Sequence, residues 1–377
     1  MLSVVVLLLA GCAQAPKRPP REVLTPTPPV ALETATNEVP AYAQMEVGVV
    51  VFDSAVQGRL SEELGEWLYT EITRKETQYL PYLVRNTLVE SNQWGPVRVL
   101  PESDPSMDLL VFGTVLRSDG EVLELEIKAI DSTGTEWLNK RYMEVASMDD
   151  YPDTTRFTPG RRFDANNFVD PMQDIYDQIA NDLVVVRDSL SAQRLQEIHQ
   201  IAELVYANDL APESFADTLG RDAGGTLIIT GQLAANDPML GRVEEIRRRH
   251  YLFIDTVDEY YRALFDEMQP AYVLWRRYAL EQVETESRLR VFNADDYADS
   301  NSYLSLIQRY DRYKWSKIYE QEFTELASGF NNEIAPAILE LNQQVHGLSG
   351  TMDSQYRQWR GILREMFRLE TGLQSPN

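Results

Sequence analysis

Val47-Gly48-Val49-Val50-Val51-Phe52 is an unbroken β-branched and aromatic run with no polar face, the pattern of a strand buried on both sides. It is expected at the centre of a sheet. Working outward, the apolar period changes at Leu60. Leu60, Leu64, Trp67, Leu68 and Ile72 fall on one helical face, and Leu80, Leu83, Val84 and Leu88 predict a second helix beginning near Pro81. Gly95-Pro96 interrupts the chain before a short strand, Val97-Arg98-Val99-Leu100. Leu109 to Leu116 reads as a strand and Ser118-Asp119-Gly120 as a hairpin turn. Leu123, Leu125, Ile127 and Ala129 then alternate with Glu124, Glu126 and Lys128, so one face is apolar and the other polar. A second turn, Asp131-Ser132-Thr133-Gly134, leads into Thr135 to Tyr142. Residues 45–145 are therefore predicted to form an α+β domain, a mixed sheet ending in an antiparallel meander with covering helices.

Residues 146–169 are polar and turn-rich, the composition of a connection, and from 170 to 372 the period is helical. Asp170-Pro171 supplies an N-cap and a first-position proline, and Met172, Ile175, Tyr176, Ile179 and Leu183 form one stripe, continued by Leu195, Ile198, Ala202 and Val205. Leu227-Ile228-Ile229, between glycines, fits either a short strand or a buried loop. Helical patterns follow at 240–267, 270–288, 300–328, 331–346 and 351–370. The last carries Tyr356, Trp359, Leu363, Met366 and Phe367 on one face. The fold class expected for this half is a mainly α-helical bundle without an internal repeat.

The composition excludes several functions. With 44% hydrophobic residues over 377 positions the chain can bury a core, and a net charge of −24 would repel nucleic acid. A single cysteine and three histidines leave no Cys-rich or His-rich metal centre. No GxSxG, SxxK or HExxH motif is present. An EF-hand beginning at Asp295 fails, because Ser300 stands where glycine is required and Leu306 where the bidentate glutamate belongs. His199, His250 and His346 are expected at the surface or as caps. Neither a catalytic residue, a metal site nor a cofactor is expected.

The most specific signal lies at the N-terminus. Leu2 to Ala10 is a short apolar run broken by Ser3 and ending in Leu9-Ala10-Gly11-Cys12. It is too short to span a bilayer, which takes about 20 helical residues. This tetrapeptide resembles the lipobox of bacterial lipoprotein signals. The resemblance implies cleavage before Cys12 and acylation of its thiol, with residues 1–11 as signal peptide. It also implies anchoring in the outer membrane of a Gram-negative bacterium, facing the periplasm, because Ala13 and Gln14 follow where aspartate would mark inner-membrane retention. No Lys or Arg precedes the apolar run, a departure from the usual signal. Residues 12–44 then carry seven prolines and read as an extended linker, about 100 Å long if fully stretched.

The run from Val47 to Asp53, the segment Asp108-Leu109-Leu110-Val111-Phe112-Gly113-Thr114-Val115 and the Asp131–Gly134 turn are similar to the small α/β domain of several envelope lipoproteins. These include the curli-secretion lipoprotein, activators of penicillin-binding proteins and auxiliary lipoproteins of ABC transporters. The resemblance implies a non-catalytic binding domain. Two features fit partner contact: the basic run Arg247, Arg248 and Arg249, and the aromatic cluster Tyr310, Tyr313 and Trp315. The competing reading of the basic run is a solvated helix face paired with Glu244, Glu245 and Asp255. The expected function is a non-enzymatic adaptor or regulator, held to the membrane by lipid and binding an envelope protein, with peptidoglycan as a further partner. The alternatives are a peptidoglycan- or glycan-acting enzyme using paired carboxylates, or a secretion or pore accessory subunit.

Overall fold

The computed structural model describes residues 25–56, 66–152, 168–231, 237–295, 338–341 and 344–372. Its centre is a six-stranded mixed sheet: β1 (Val47–Val50), β2 (Asp53–Ser54), β3 (Val97–Leu100), β4 (Leu109–Ser118), β5 (Val122–Asp131) and β6 (Glu136–Val145). The order is β3-β1-β4-β5-β6, with β2 also on β4. β1 is parallel to both neighbours and wholly buried, as its apolar run predicts. The strand stops at Val50, two residues early, because the Phe52 N–H turns from the sheet to the Thr77 carbonyl of α1 (Glu66–Glu90), 2.9 Å away. β4, β5 and β6 form the antiparallel meander. Along β5, Leu123, Leu125, Ile127 and Ala129 are fully buried while Lys128 is exposed.

The Phe52 bond also explains α1. A second helix was expected to begin at Pro81, but one helix runs through it. Proline cannot donate to the carbonyl four residues back. That carbonyl is Thr77, and the sheet supplies the missing donor.

β3 and β4 lie on opposite sides of β1, so the eight residues 101–108 must return the chain across the sheet. Parallel strands ordinarily need a crossover of about a dozen residues or more. The short route works because strands β1 and β3 are four residues long and Gly48 leaves room. A Cβ at Gly48 would lie 2.5 Å from Leu100 Cδ1 and 3.3 Å from Met107 Cγ of the crossing loop.

The helices that follow are α2 (Gln173–Ser189), α3 (Ala192–Leu210), α4 (Pro238–Asp295) and α5 (Met352–Thr371). α2 lies on β6 beside α1. α4 is one helix of 58 residues, about 87 Å long. A break was expected between 267 and 270. The helix instead continues through Pro270, since Phe265, Met268, Tyr272, Val273 and Trp275 are buried on both sides of it and their packing outweighs the local preference. α4 covers the outer edge of β3. Asp258 Oδ1 accepts the Val99 N–H at 2.9 Å, Arg85 pairs with the same carboxylate at 2.6 Å, and Arg98 pairs with Asp255 at 2.5 Å. α5 buries the predicted stripe of Tyr356, Trp359, Leu363, Met366 and Phe367 and is capped by Thr351. A single hydrophobic cluster includes Val49, Leu125, Ile175, Phe253, Trp275 and Trp359, so the sheet and the later helices share one core.

One further expectation is corrected, and one open alternative is resolved. The helical pattern at 331–346 gives way, among the described residues, to a hairpin of β9 (Ile338–Leu341) and β10 (Gln344–Gly347), where the alternation of Leu339 and Leu341 suits a two-residue period. Leu227–Ile229 is a strand, β8, paired with β7 (Leu219–Arg221). The expected helix 300–328 lies outside the described residues.

The proline-rich linker is also shorter than expected, because residues 25–43 are docked on the folded body. The Thr27 N–H reaches Met143 O at 2.7 Å, and the Ala35 N–H reaches Ser91 O at 2.8 Å. Between them Asn181 grips the backbone from both sides, accepting from the Glu33 N–H at 2.9 Å and donating to Ala31 O at 2.9 Å. Leu32 and Val39 pack on the core. Only residues 13–24 remain between Cys12 and this strap, a span of at most about 40 Å.

Two predictions follow from these contacts. Asn181→Ala removes both backbone partners, and amide hydrogen exchange at Glu33 should speed up by at least about tenfold while β4 and β5 are unaffected. Unchanged exchange at Glu33 would show that the strap is held by other contacts. Gly120, at the β4–β5 turn, has φ +81°, and a Cβ there would lie 2.2 Å from the Arg276 carbonyl oxygen of α4. Gly120→Ala is expected to cost about 2 kcal/mol or more, read from chemical denaturation.

Candidate functional site

The crossing loop 101–108 carries two aspartates whose side chains are buried, and each organises a cluster at the end of the sheet where β4 begins. Asp104 is fully buried. Its Oδ1 accepts from the Ser106 N–H at 3.0 Å and the Ser106 hydroxyl at 2.6 Å. Its Oδ2 faces His250 Nε2 of α4 at 2.9 Å and accepts from the Tyr356 hydroxyl of α5 at 2.7 Å. Burial alone would raise the Asp104 pKa. The hydrogen bond and charge of His250, with Arg360 and Ser106, more than offset this and hold it well below the usual carboxylate range. His250 was expected at the surface or as a cap. It is wholly buried and stacked on Tyr206 at 5.5 Å, because this face of α4 turns toward the loop. Beside the cluster lies a cleft of about 360 Å³ lined by Asp104, Tyr206, Asp209 and Arg360. Asp209 accepts from Arg360 at 2.8 Å and from Arg364 at 2.5 Å.

Asp108 builds the second cluster. Its Oδ2 accepts from the Glu46 N–H at 2.8 Å, and its carboxylate holds His199 Nδ1 of α3 at 3.1 Å. His199 is half exposed, and the hydrogen bond to Asp108 raises its pKa despite partial burial. A second cleft, of about 320 Å³, opens here between residues 41–45 and α3.

The basic run divides along the helical pitch. Arg247 is buried, at 6% exposure, donating to Ser106 O at 3.1 Å and lying 3.6 Å from both Glu46 and Glu203. It is committed to the loop and corrects the picture of a wholly solvated face. Arg248 is exposed. Arg249 pairs with Glu245 at 2.8 Å, as helical spacing predicts, whereas Asp255 serves Arg98 instead. Cys12, Tyr310, Tyr313 and Trp315 lie outside the described residues.

A third buried group sits between the sheet, α1 and α4, and no sequence motif marks it. The Arg276 guanidinium is 1% exposed, lies 3.9 Å from Asp170, and makes no hydrogen bond of normal geometry through any of its three nitrogens. Glu76, also buried, accepts from the Ser118 hydroxyl and from the Tyr272 hydroxyl at 2.8 Å. Burial pushes Glu76 up to about 7, and the hydrogen bonds and the Arg276 charge offset only part of that rise. Among the described residues no group of three His, Cys, Asp or Glu side chains could hold a metal ion. Among them, too, no helix is long and apolar enough to cross a membrane.

The class defined so far is a mixed α/β sheet protein with a mainly helical second half. No protein-family model matches the chain, and no curated protein matches it. Among solved structures it is similar to the lipoprotein GNA1162 from Neisseria meningitidis, at 11% identity and a TM-score of 0.20, over 29% of this chain and 86% of that one.

Glu76 makes stability depend on pH. Between pH 4.5 and about 7 the unfolded chain releases this proton while the folded chain keeps it. The stabilisation is therefore full below the unfolded value and falls away as pH rises through the folded one, by roughly 3 kcal/mol. Glu76→Gln should abolish that decline, so denaturation midpoints compared at about pH 5 and pH 8 should differ less in the variant than in the wild type. Equal differences in both proteins would remove Glu76 as the source.

Proposed function

We propose that this is a lipid-anchored protein of the bacterial envelope, held to the outer membrane through Cys12 and facing the periplasm. In this reading it acts by binding another envelope protein rather than by catalysis. The observation that carries the reading is the Leu9-Ala10-Gly11-Cys12 sequence, which places the chain's one cysteine directly after a short apolar run. Two or more acyl chains anchor a protein stably where one binds only marginally.

The docked strap supports a specific version of this reading. With residues 25–43 fixed to the body, the anchor and the folded part are joined by residues 13–24 alone. The body then works within about 40 Å of the membrane surface, not the 100 Å that a free linker would allow. Partners within that distance are the ones it can engage.

The test compares the wild type with Cys12→Ala after metabolic labelling with an alkyne fatty acid, membrane fractionation and crosslinking in cells. Acyl label and outer-membrane recovery in the wild type, both lost in Cys12→Ala together with a crosslinked envelope protein, are the expected results. A wild-type protein that takes up no label and fractionates like the variant would overturn the anchored reading. A labelled protein without any crosslinked protein partner would overturn the adaptor part alone.

A further inference from the structure

We propose that the cleft between residues 41–45 and α3 is a binding site for a neutral saccharide. This goes beyond the anchored-adaptor reading and does not depend on it.

The cleft has two unlike walls and an apolar floor. One wall is Tyr42, on the short 3-10 turn Ala41–Ala43, with 44% of its surface exposed although it is a large aromatic. The facing wall is one stripe of α3, where Gln196, His199 and Gln200 stand three and four residues apart and all are exposed. Met45 and Leu195, each 3% exposed, form the floor. A volume of about 320 Å³ is within the range of small-molecule sites.

Charge decides the ligand class. The Asp108 carboxylate is already engaged by the Glu46 N–H and His199. Glu203, beside the cleft, lies 3.6 Å from Arg247 and 3.7 Å from His199 Nε2. No free counter-charge therefore awaits a charged ligand at this site, and the chain's −24 charge disfavours anions further. What the cleft offers is amide groups that both donate and accept, opposite an exposed aromatic ring. Sugar hydroxyls likewise donate and accept, and a pyranose ring has an apolar C–H face suited to stacking on tyrosine.

The experiment is isothermal titration calorimetry on the full-length Cys12→Ala chain with three neutral tetrasaccharides, of β-linked N-acetylglucosamine, β-linked glucose and α-linked glucose. At least one should bind with a dissociation constant between micromolar and millimolar. Tyr42→Ala and the double variant Gln196→Ala with Gln200→Ala should each weaken it by about tenfold or more, while Tyr42→Phe retains it. Because these side chains are exposed, thermal melting of the variants should match the parent, which separates loss of binding from loss of fold. Absence of binding by all three sugars, or binding that the variants leave unchanged, would overturn the proposal. None of these results bears on acylation at Cys12, so the two readings stand or fall separately.

Discussion

The return of the chain from β3 to β4 over the buried strand β1 is the constraint on which the rest of the molecule depends. Eight residues cross the sheet with no helix to satisfy their backbone, and buried polar groups must find partners or cost stability. The loop meets this with its own side chains. Asp104 closes on Ser106, Asp108 accepts from the start of β1, and Met107 settles over Gly48. Both aspartates then need cations or hydroxyls, and these come from α3, α4 and α5. The later helices are thus recruited to a problem set by residue 108.

Helix α4 shows how that recruitment fixes register. Arg247, Asp255, Asp258 and Arg276 each meet an opposite charge on an earlier segment of the chain, and His250 meets the Asp104 carboxylate, the five spread along eight turns of one helix. Exposed ion pairs contribute little individually, but a sliding helix would separate several buried ones together. Asp258 also occupies a backbone donor on the outer edge of β3, so the strand is closed to pairing with another chain. The most poorly matched of these is Arg276, whose guanidinium rests over the Tyr272 ring at 5.6 Å and makes no hydrogen bond of normal geometry through any of its nitrogens.

Legibility in the sequence followed the range of the forces involved. The strands β3 to β6, the turn at Asp131 and the stripe of α5 were readable because alternation, turn residues and helical period are local. Pro81 misled because the donor replacing its missing N–H comes from Phe52, on a different element. The 13–44 segment misled because proline content describes the free chain and says nothing of Asn181, about 150 residues away. The candidate site was hidden for the same reason. His250 and Asp104 are 146 positions apart, and neither lies in a motif. A histidine flanked by three arginines reads as surface until the loop that pairs with it is placed.

The strap over α2 has a mechanical consequence. If Cys12 is acylated as proposed, any load between the membrane and the folded body enters the chain at residue 25 and is carried first by the bonds to Met143, Asp174, Asn181 and Ser91. These are strung along the peptide and would open one after another, like a zip, each releasing slack before the next is stressed. Full peeling of residues 25–43 would add about 60 Å to the leash without breaking the core. The protein would thus yield in length before it yields in fold.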